Sequence, residues 1–335
     1  MKVIVTGANG FLASHIVKQL LEKGHTVHAC VRDASQTDRV AHLQTLAHAD
    51  DSRLKLFSTG DLAHPKDQFD APMQGCHAII HAATPLNVKF GASGCDGETD
   101  IYNPAVVSTQ EILDCMSRHP SVQTLVLTSS MSAVAPQPEP PIKDESHWSD
   151  PDEQKTRGSW YGATKTVQEQ MVMKWVQEKN KSDNNNTDFK CVAICPTMVL
   201  GPSLNRNAAA PSGTMGRLLE WLQTGTKCGT NVPNDSMSFI HVEDCAAMHV
   251  AALEQPQATG RYMALVEAWH WNELLSCMKQ YYPKLPDFVP ISDQDKVMPT
   301  KFNLQKMNTL GVKVRSMETI LKESVGFLET VGALK

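Results

Sequence analysis

The chain has 335 residues, 41% hydrophobic and 20% charged, with a formal net charge of -5 at pH 7. It is long and apolar enough to bury a full core, while the mildly acidic balance and the lack of a Lys/Arg run exclude an electrostatic footprint for nucleic acid or an anionic membrane. No apolar run reaches membrane-spanning length, Met1 to Thr6 runs directly into a strand pattern without room for a signal peptide, and the nine cysteines form no Cys-x-x-Cys pair, so reduced thiols and a cytoplasmic address are expected.

Val3-Ile4-Val5 is a β-branched run that leads into Thr6-Gly7-Ala8-Asn9-Gly10-Phe11-Leu12-Ala13 and then a helical pattern through Ile16, Val17, Leu20 and Leu21. Strand, glycine turn and helix in that order suit dinucleotide binding: Gly7 permits a tight turn, Gly10 lets the backbone approach a pyrophosphate, and the helix N-terminus faces the anion. Ala13 takes the place of the third glycine, whose task is helix–strand packing, so a methyl group there is tolerable. The second strand, Thr26 to Val31, ends in Arg32-Asp33. An acidic residue at that point suits the ribose 2′-hydroxyl of NAD, whereas the Arg32 guanidinium suits the 2′-phosphate of NADP.

Leu54 to Phe57 is the third expected strand and Ala78 to His81 the fourth, with small residues at its exit. His81 reads as a packed histidine. The spacing of Ile101, Ala105, Val106, Ile112 and Leu113 predicts a helix over Thr99 to Met116, and Thr124 to Leu127 is the fifth strand, ending in Thr128-Ser129-Ser130. Hydroxyls at the carboxyl end of a parallel strand stand where open α/β sheets place ligands. A Pro/Asp/Glu/Ser-rich surface loop covers Pro136 to Asp152, a helix runs from Tyr161 to about Lys179, and the sixth strand is Lys190 to Cys195. Beyond it the pattern becomes irregular. A helix passes through Met215, Leu218, Leu219 and Leu222, and the C-terminal segment Met317 to Leu328 has the apolar spacing of a docked helix. His241, Glu243, Asp244 and His249 are spaced too irregularly for a metal site, and Asp244 to His249 reads as a helix start with an acidic first turn. No metal is expected.

The stretch Ser159-Trp160-Tyr161-Gly162-Ala163-Thr164-Lys165 carries the chemistry. Four residues apart on a helix is one face, so the Lys165 ammonium can stand near the Tyr161 phenol. A cation at about 4 Å in an effective dielectric of about 20 contributes roughly 4 kcal/mol toward phenolate, enough to bring a group with a pKa near 10 into range as a general acid.

With Thr166-Val167 and Glu169-Gln170 after it and Asp144 to Pro151 before it, this block resembles the extended short-chain dehydrogenase/reductases. The branch is similar to the plant dihydroflavonol-reductase and cinnamoyl-CoA-reductase group with its fungal and yeast carbonyl-reductase relatives, from Lys2 to about Leu328. The resemblance implies an α/β fold: a Rossmann-type doubly wound parallel sheet over residues 1–200, with contributions from about 236–256, and a smaller C-terminal substrate-binding lobe over 201–335. It implies NADP(H), held by Thr6, Gly7, Asn9, Gly10, Phe11, Leu12, Arg32 and a second basic residue, Arg39. Asp61 and Leu62 lie along the adenine, followed by Ala82, Ala83, Thr84, Thr128, Tyr161, Lys165, Pro196, Thr197, Val199 and Ser212. Ser130, Tyr161 and Lys165 become the catalytic group acting on a small carbonyl or alcohol substrate, in a monomer or homodimer. Two departures matter. The Asn by which flavonoid-type reductases read ring hydroxyls looks like Val134 here, and the cinnamoyl-CoA-reductase signature Asn-Trp-Tyr-Cys-Tyr-Gly-Lys is only partly kept. An aldehyde, ketone or keto ester with an apolar body is therefore expected rather than either plant substrate. The alternatives on the same scaffold are a sugar-nucleotide epimerase or dehydratase, and a non-catalytic NADP-sensing protein.

Overall fold

The structure is a computed structural model that describes residues 1–50, 52–84, 96–182, 189–206, 211–226 and 231–334. From the N-terminus, β1 (Lys2–Thr6), α1 (Phe11–Glu22), β2 (Thr26–Val31), α2 (Thr37–Gln44), β3 (Leu54–Ser58), α3 (Asp70–Met73) and β4 (Ala78–His81) alternate. They continue as α4 (Asn103–Arg118), β5 (Thr124–Thr128), the two-residue β6 (Ile142–Lys143), α5 (Pro151–Thr156), α6 (Trp160–Ser182), β7 (Lys190–Pro196) and β8 (Met198–Leu200). The remainder is α7 (Gly213–Thr224), β9 (Ser236–His241), α8 (Val242–Glu254), β10 (Gly260–Ala264), β11 (Ala268–His270), α9 (Trp271–Tyr281), β12 (Lys301–Phe302), α10 (Gln305–Asn308) and α11 (Met317–Thr330).

Among the described residues, seven strands form one sheet in the order β10-β7-β5-β4-β1-β2-β3. Every pairing in it is parallel. Both faces are covered, and the sequence explains why. Val3 and Val5 on β1 enter one core with Ile16, Val17 and Leu20 of α1 and Met248 of α8. Ile4, between them, enters the opposite core with Ile112 and Met116 of α4 and Val172 of α6. Alternation of side chains across an apolar run thus serves two helical layers at once, as parallel sheets require. A third core joins α7, α9 and α11 in the lobe, where Trp221 and Trp271 meet edge to face with centroids 4.9 Å apart.

The expected strands lie where the sequence places them, and two elements differ. The helix expected from Thr99 opens with a π-helical turn over Glu98–Tyr102 before α4 begins. Pro104 stands in the first turn of α4; proline has no N–H to donate and fits there, where an N–H has no intrahelical partner. Gly260–Ala264, in the stretch expected to form the lobe and beyond the contribution expected from about 236–256, is an edge strand of the main sheet, β10, paired in parallel with β7. A buried arginine in the middle masks the strand pattern; its charge is compensated by Glu169 of α6.

Candidate active site

The strand exits at the carboxyl edge of the sheet build two neighbouring hollows. The first is a groove of about 350 Å³ lined by Gly7, Asn9, Gly10, Arg32, Arg39, Thr59, Gly60, Leu62, Ala82, Ala83 and Thr84, with Cys30 and Val31 at its floor. Gly7 adopts φ +63, and a Cβ there would come within 3.1 Å of the Ala83 backbone, so only glycine lets the first turn pass under the fourth strand exit. Gly10 is the N-cap of α1 and no side chain caps it. The amide groups of that first turn therefore remain available to an anion. Asn9 and Gly10 also line, with Phe11 and Ser212, a side hollow of about 240 Å³.

Asp33, the ambiguous neighbour of Arg32, is engaged locally. Its carboxylate accepts from the Ser35 N–H at 2.9 Å, from the Ser35 hydroxyl at 2.6 Å and from the Gln36 amide at 3.1 Å. These bonds hold its pKa below the usual carboxylate range. Asp33 shapes its own turn, while Arg32 and Arg39 both face the groove.

Other expected contact residues lie behind the groove wall. The Thr6 hydroxyl is buried, accepts from the Ala83 N–H at 3.1 Å and pairs with His81 Nδ1 at 2.8 Å. It ties the first strand exit to the fourth. Burial pushes His81 down to about 3, so it is a neutral packed ring. Asp61 accepts from the Ala63 N–H at 3.0 Å, leaving Leu62 to line the groove. Leu12 and Val199 pack into the core below the sheet. The Thr128 hydroxyl meets His249 Nε2 at 2.8 Å, while His249 Nδ1 lies 2.8 Å from the Cys245 carbonyl. Burial lowers the pKa of this histidine to about 4, so the ring is neutral, and with Nδ1 donating to that carbonyl its Nε2 accepts from Thr128. Asp244 bonds the Arg315 backbone and guanidinium.

The second hollow at the sheet edge is a cavity of about 360 Å³ lined by Ser130, Met131, Ser132, Tyr161, Pro196, Thr197, Met198, Gly213, Thr214, Arg217 and Met237. Ser130 and Ser129 take different paths. The Ser129 hydroxyl is buried and donates to Glu169 Oε2 at 2.6 Å. The Ser130 hydroxyl opens to the cavity, is bonded to the Tyr161 phenol, and donates to the Ser132 hydroxyl at 3.2 Å. Val134, four residues after Ser130, is fully buried with Ala193, Cys195 and Met263 and does not face the cavity.

Lys165 is tied to two strand exits. Its ammonium donates to the Thr84 hydroxyl at 2.6 Å and the Thr128 carbonyl at 2.8 Å, and sits 6.0 Å from the centre of the Tyr161 ring. Burial lowers its pKa to about 8, with Glu169 pulling the other way. Burial raises the Tyr161 pKa, against the pull of Ser130 and of the Arg217 charge. The Arg217 charge also acts on Tyr161, and Lys165 joins Thr84 of the groove to the Thr128 carbonyl at the end of β5.

A buried network fixes these groups. Arg261 pairs with Glu169, donates to the carbonyls of Glu145 at 3.0 Å and Ala133 at 2.7 Å, also bonds the His147 carbonyl, and lies 3.7 Å from the centre of the Trp148 ring. It connects α6, β10 and the surface loop before α5. Arg217, Met131 and Met237 carry no motif and escape a reading of the sequence. A signal for Arg217 exists all the same: Thr214 and Arg217 are three residues apart on α7, while Met215, Leu218 and Leu222 form its buried stripe.

Comparison with known proteins places the chain among reductases. Cinnamoyl-CoA reductase CAD2 of Medicago truncatula is 32% identical over 98% of this chain and 95% of its own length. The bifunctional dihydroflavonol 4-reductase/flavanone 4-reductase of Malus domestica is 31% identical over 99% of this chain and 92% of its own. The crystal structure of yeast methylglyoxal/isovaleraldehyde reductase Gre2 complexed with NADPH has a TM-score of 0.82 at 22% identity, covering 100% of both chains. The sequence profile of the NAD dependent epimerase/dehydratase family matches residues 3–265, and with relatives of such identity along nearly its whole length the chain belongs to that family.

Proposed function

We propose that this protein is an NADPH-dependent carbonyl reductase. The observation that carries the reading is the Ser130–Tyr161 hydroxyl pair at the end of a cavity otherwise rich in methionine, beside a groove that carries two arginines. The groove fits a dinucleotide: Gly7, at positive φ, passes tight against Ala83, and α1 opens without a side-chain cap. Arg32 and Arg39 would hold a 2′-phosphate, the glycine loop the pyrophosphate, and Lys165 with Thr84 the ribose next to the reacting ring. NADPH, when bound, supplies a hydride.

The chain's own residues do the rest. Ser130 donates a hydrogen bond to the substrate carbonyl oxygen and stabilises negative charge developing there. Tyr161 delivers its phenolic proton to the same oxygen and is reprotonated from solvent, so the product is an alcohol. Arg217 draws the phenol toward ionisation, while Met131, Met198 and Met237 exclude water and accept a varied apolar body. Aldehydes, ketones and keto esters fit that description. The yeast relative's activity on methylglyoxal and isovaleraldehyde supports a small carbonyl substrate.

The test is consumption of NADPH and NADH against aryl aldehydes, β-keto esters, flavanonols and acyl-CoA thioesters, with Tyr161→Phe beside the native chain. Turnover selective for NADPH is expected. The variant should lose about 10²- to 10⁴-fold in kcat while still binding NADPH, the usual scale of one positioned proton donor. Full turnover in the variant would remove Tyr161 from the mechanism, and absence of turnover with every carbonyl would favour the sensing alternative.

A further inference from the structure

The side hollow of about 240 Å³ beside the glycine loop belongs to both parts of the molecule. It shares Asn9 and Gly10 with the cofactor groove, and the lobe supplies Arg206, Ser212 and Met215, with Phe327 and Val331 at the end of α11. Two helices open on it. Gly10 is the N-cap of α1 and Ser212 the N-cap of α7, each helix is 12 residues long, and neither start is capped by a side chain. The first N–H groups of both helices lack intrahelical partners and carry the positive ends of two helix dipoles. Arg206, in the loop between β8 and α7, adds a full charge. It is exposed and has no ion pair or hydrogen bond to any described residue. No Asp or Glu is among the described lining residues.

Two helix starts and a guanidinium around one hollow repel one another until an anion arrives. The dinucleotide brings one. Its diphosphate belongs at the start of α1, and Gly10 at that start lines the groove and the hollow alike. A guanidinium presents a planar fork that matches two phosphate oxygens. We infer that Arg206 is a ligand of the cofactor diphosphate, reaching it from the lobe while the glycine loop holds it from the sheet, with the Ser212 hydroxyl as a further donor. The inference rests on the dinucleotide reading of the groove and extends the site to the lobe. It separates the arginines by task. Arg32 and Arg39 address the 2′-phosphate, which only NADP(H) carries. Arg206 addresses a group that NADPH and NADH share, so it adds affinity without choosing between them.

The experiment measures dissociation constants by calorimetry, without substrate, for NADPH, NADH and adenosine 2′-monophosphate. Four proteins are compared: native, Arg206→Gln, Arg206→Lys and Arg32→Ala. The adenosine monophosphate keeps the phosphate that Arg32 addresses and lacks the diphosphate. Arg206→Gln should weaken NADPH and NADH by the same factor, about tenfold, in keeping with one charge-assisted contact at an exposed site, and leave the monophosphate unchanged. Arg206→Lys should recover part of the loss, because it keeps the charge and gives up the fork. Arg32→Ala should show the complementary pattern, weakening NADPH and the monophosphate and sparing NADH. Unchanged NADPH binding in Arg206→Gln, or a loss that is confined to NADPH or extends to the monophosphate, overturns the assignment and leaves the reductase reading standing. A native chain that binds none of the three ligands overturns the dinucleotide reading as well.

Discussion

In the groove beside the glycine loop, every lining group comes from one stretch of chain, residues 7 to 84, at four successive strand exits and the helices that follow. In the cavity at Tyr161 the lining comes from five separate segments spread from Ser130 to Met237, on a 3-10 turn, two helices and strands of two sheets. The groove is shaped by backbone and by local turns, such as the positive φ of Gly7 and the loop closed by Asp33. The cavity is shaped by side chains that only packing brings together. The difference teaches where each can be damaged: the groove by a change in its own residues, the cavity also by a change at a distant tie.

The largest test of that contrast is the Glu169–Arg261 tie, buried at 0% and 5% side-chain exposure. Glu169→Ala leaves the guanidinium buried without its carboxylate, which should lower stability by about 3–5 kcal/mol and the melting temperature by roughly 10 °C. Measured below the transition, turnover should drop while the NADPH dissociation constant changes little. Equal damage to both would mean the two regions are not separable. A smaller effect is expected from the groove side. Arg32→Ala removes one charge-assisted contact and should raise KM for NADPH by about 10- to 100-fold, with KM for NADH changed less than about twofold. Equal losses with both cofactors would show that Arg32 does not read the 2′-phosphate. The smallest effect concerns Lys165, which touches Thr84 on the groove side and Thr128 behind the cavity. Its pKa is lowered to about 8, so the ammonium is present below that pH and lost above it. The kcat/KM profile, which reports free-protein ionisations, should therefore bend downward through about pH 8 and fall about tenfold by pH 9. A profile flat to pH 10 would show that the charge on Lys165 is not needed.

These regions also differ in how far they were legible. The turn at Gly7 and the alternation of strands with helices follow from β-branched runs separated by helical patterns, and Arg32 was identifiable because it closes the second strand. Asp33 left the cofactor choice open in the sequence; its hydrogen bonds to Ser35 and Gln36 resolve what that carboxylate does. Ser129 and Ser130 are equivalent by position, and their separation depends on Glu169 accepting one hydroxyl from a helix 40 residues away.

The sequence by itself determined the glycine loop, the sixth strand and the Tyr161–Lys165 pair, because each rests on local periodicity or short spacing that backbone geometry enforces, while the fold class came from the family resemblance those stretches carry. Tertiary structure decided which face each group presents. Arg261 has no assigned place until β10 joins the sheet and Glu169 meets it. Lys165 reads as the partner of Tyr161 until Thr84 and the Thr128 carbonyl claim its ammonium, and Arg217 has no motif at all until α7 closes over the cavity. The reason is physical: a side chain's charge and pKa are set by burial and by neighbours distant in the chain, and those are properties of packing.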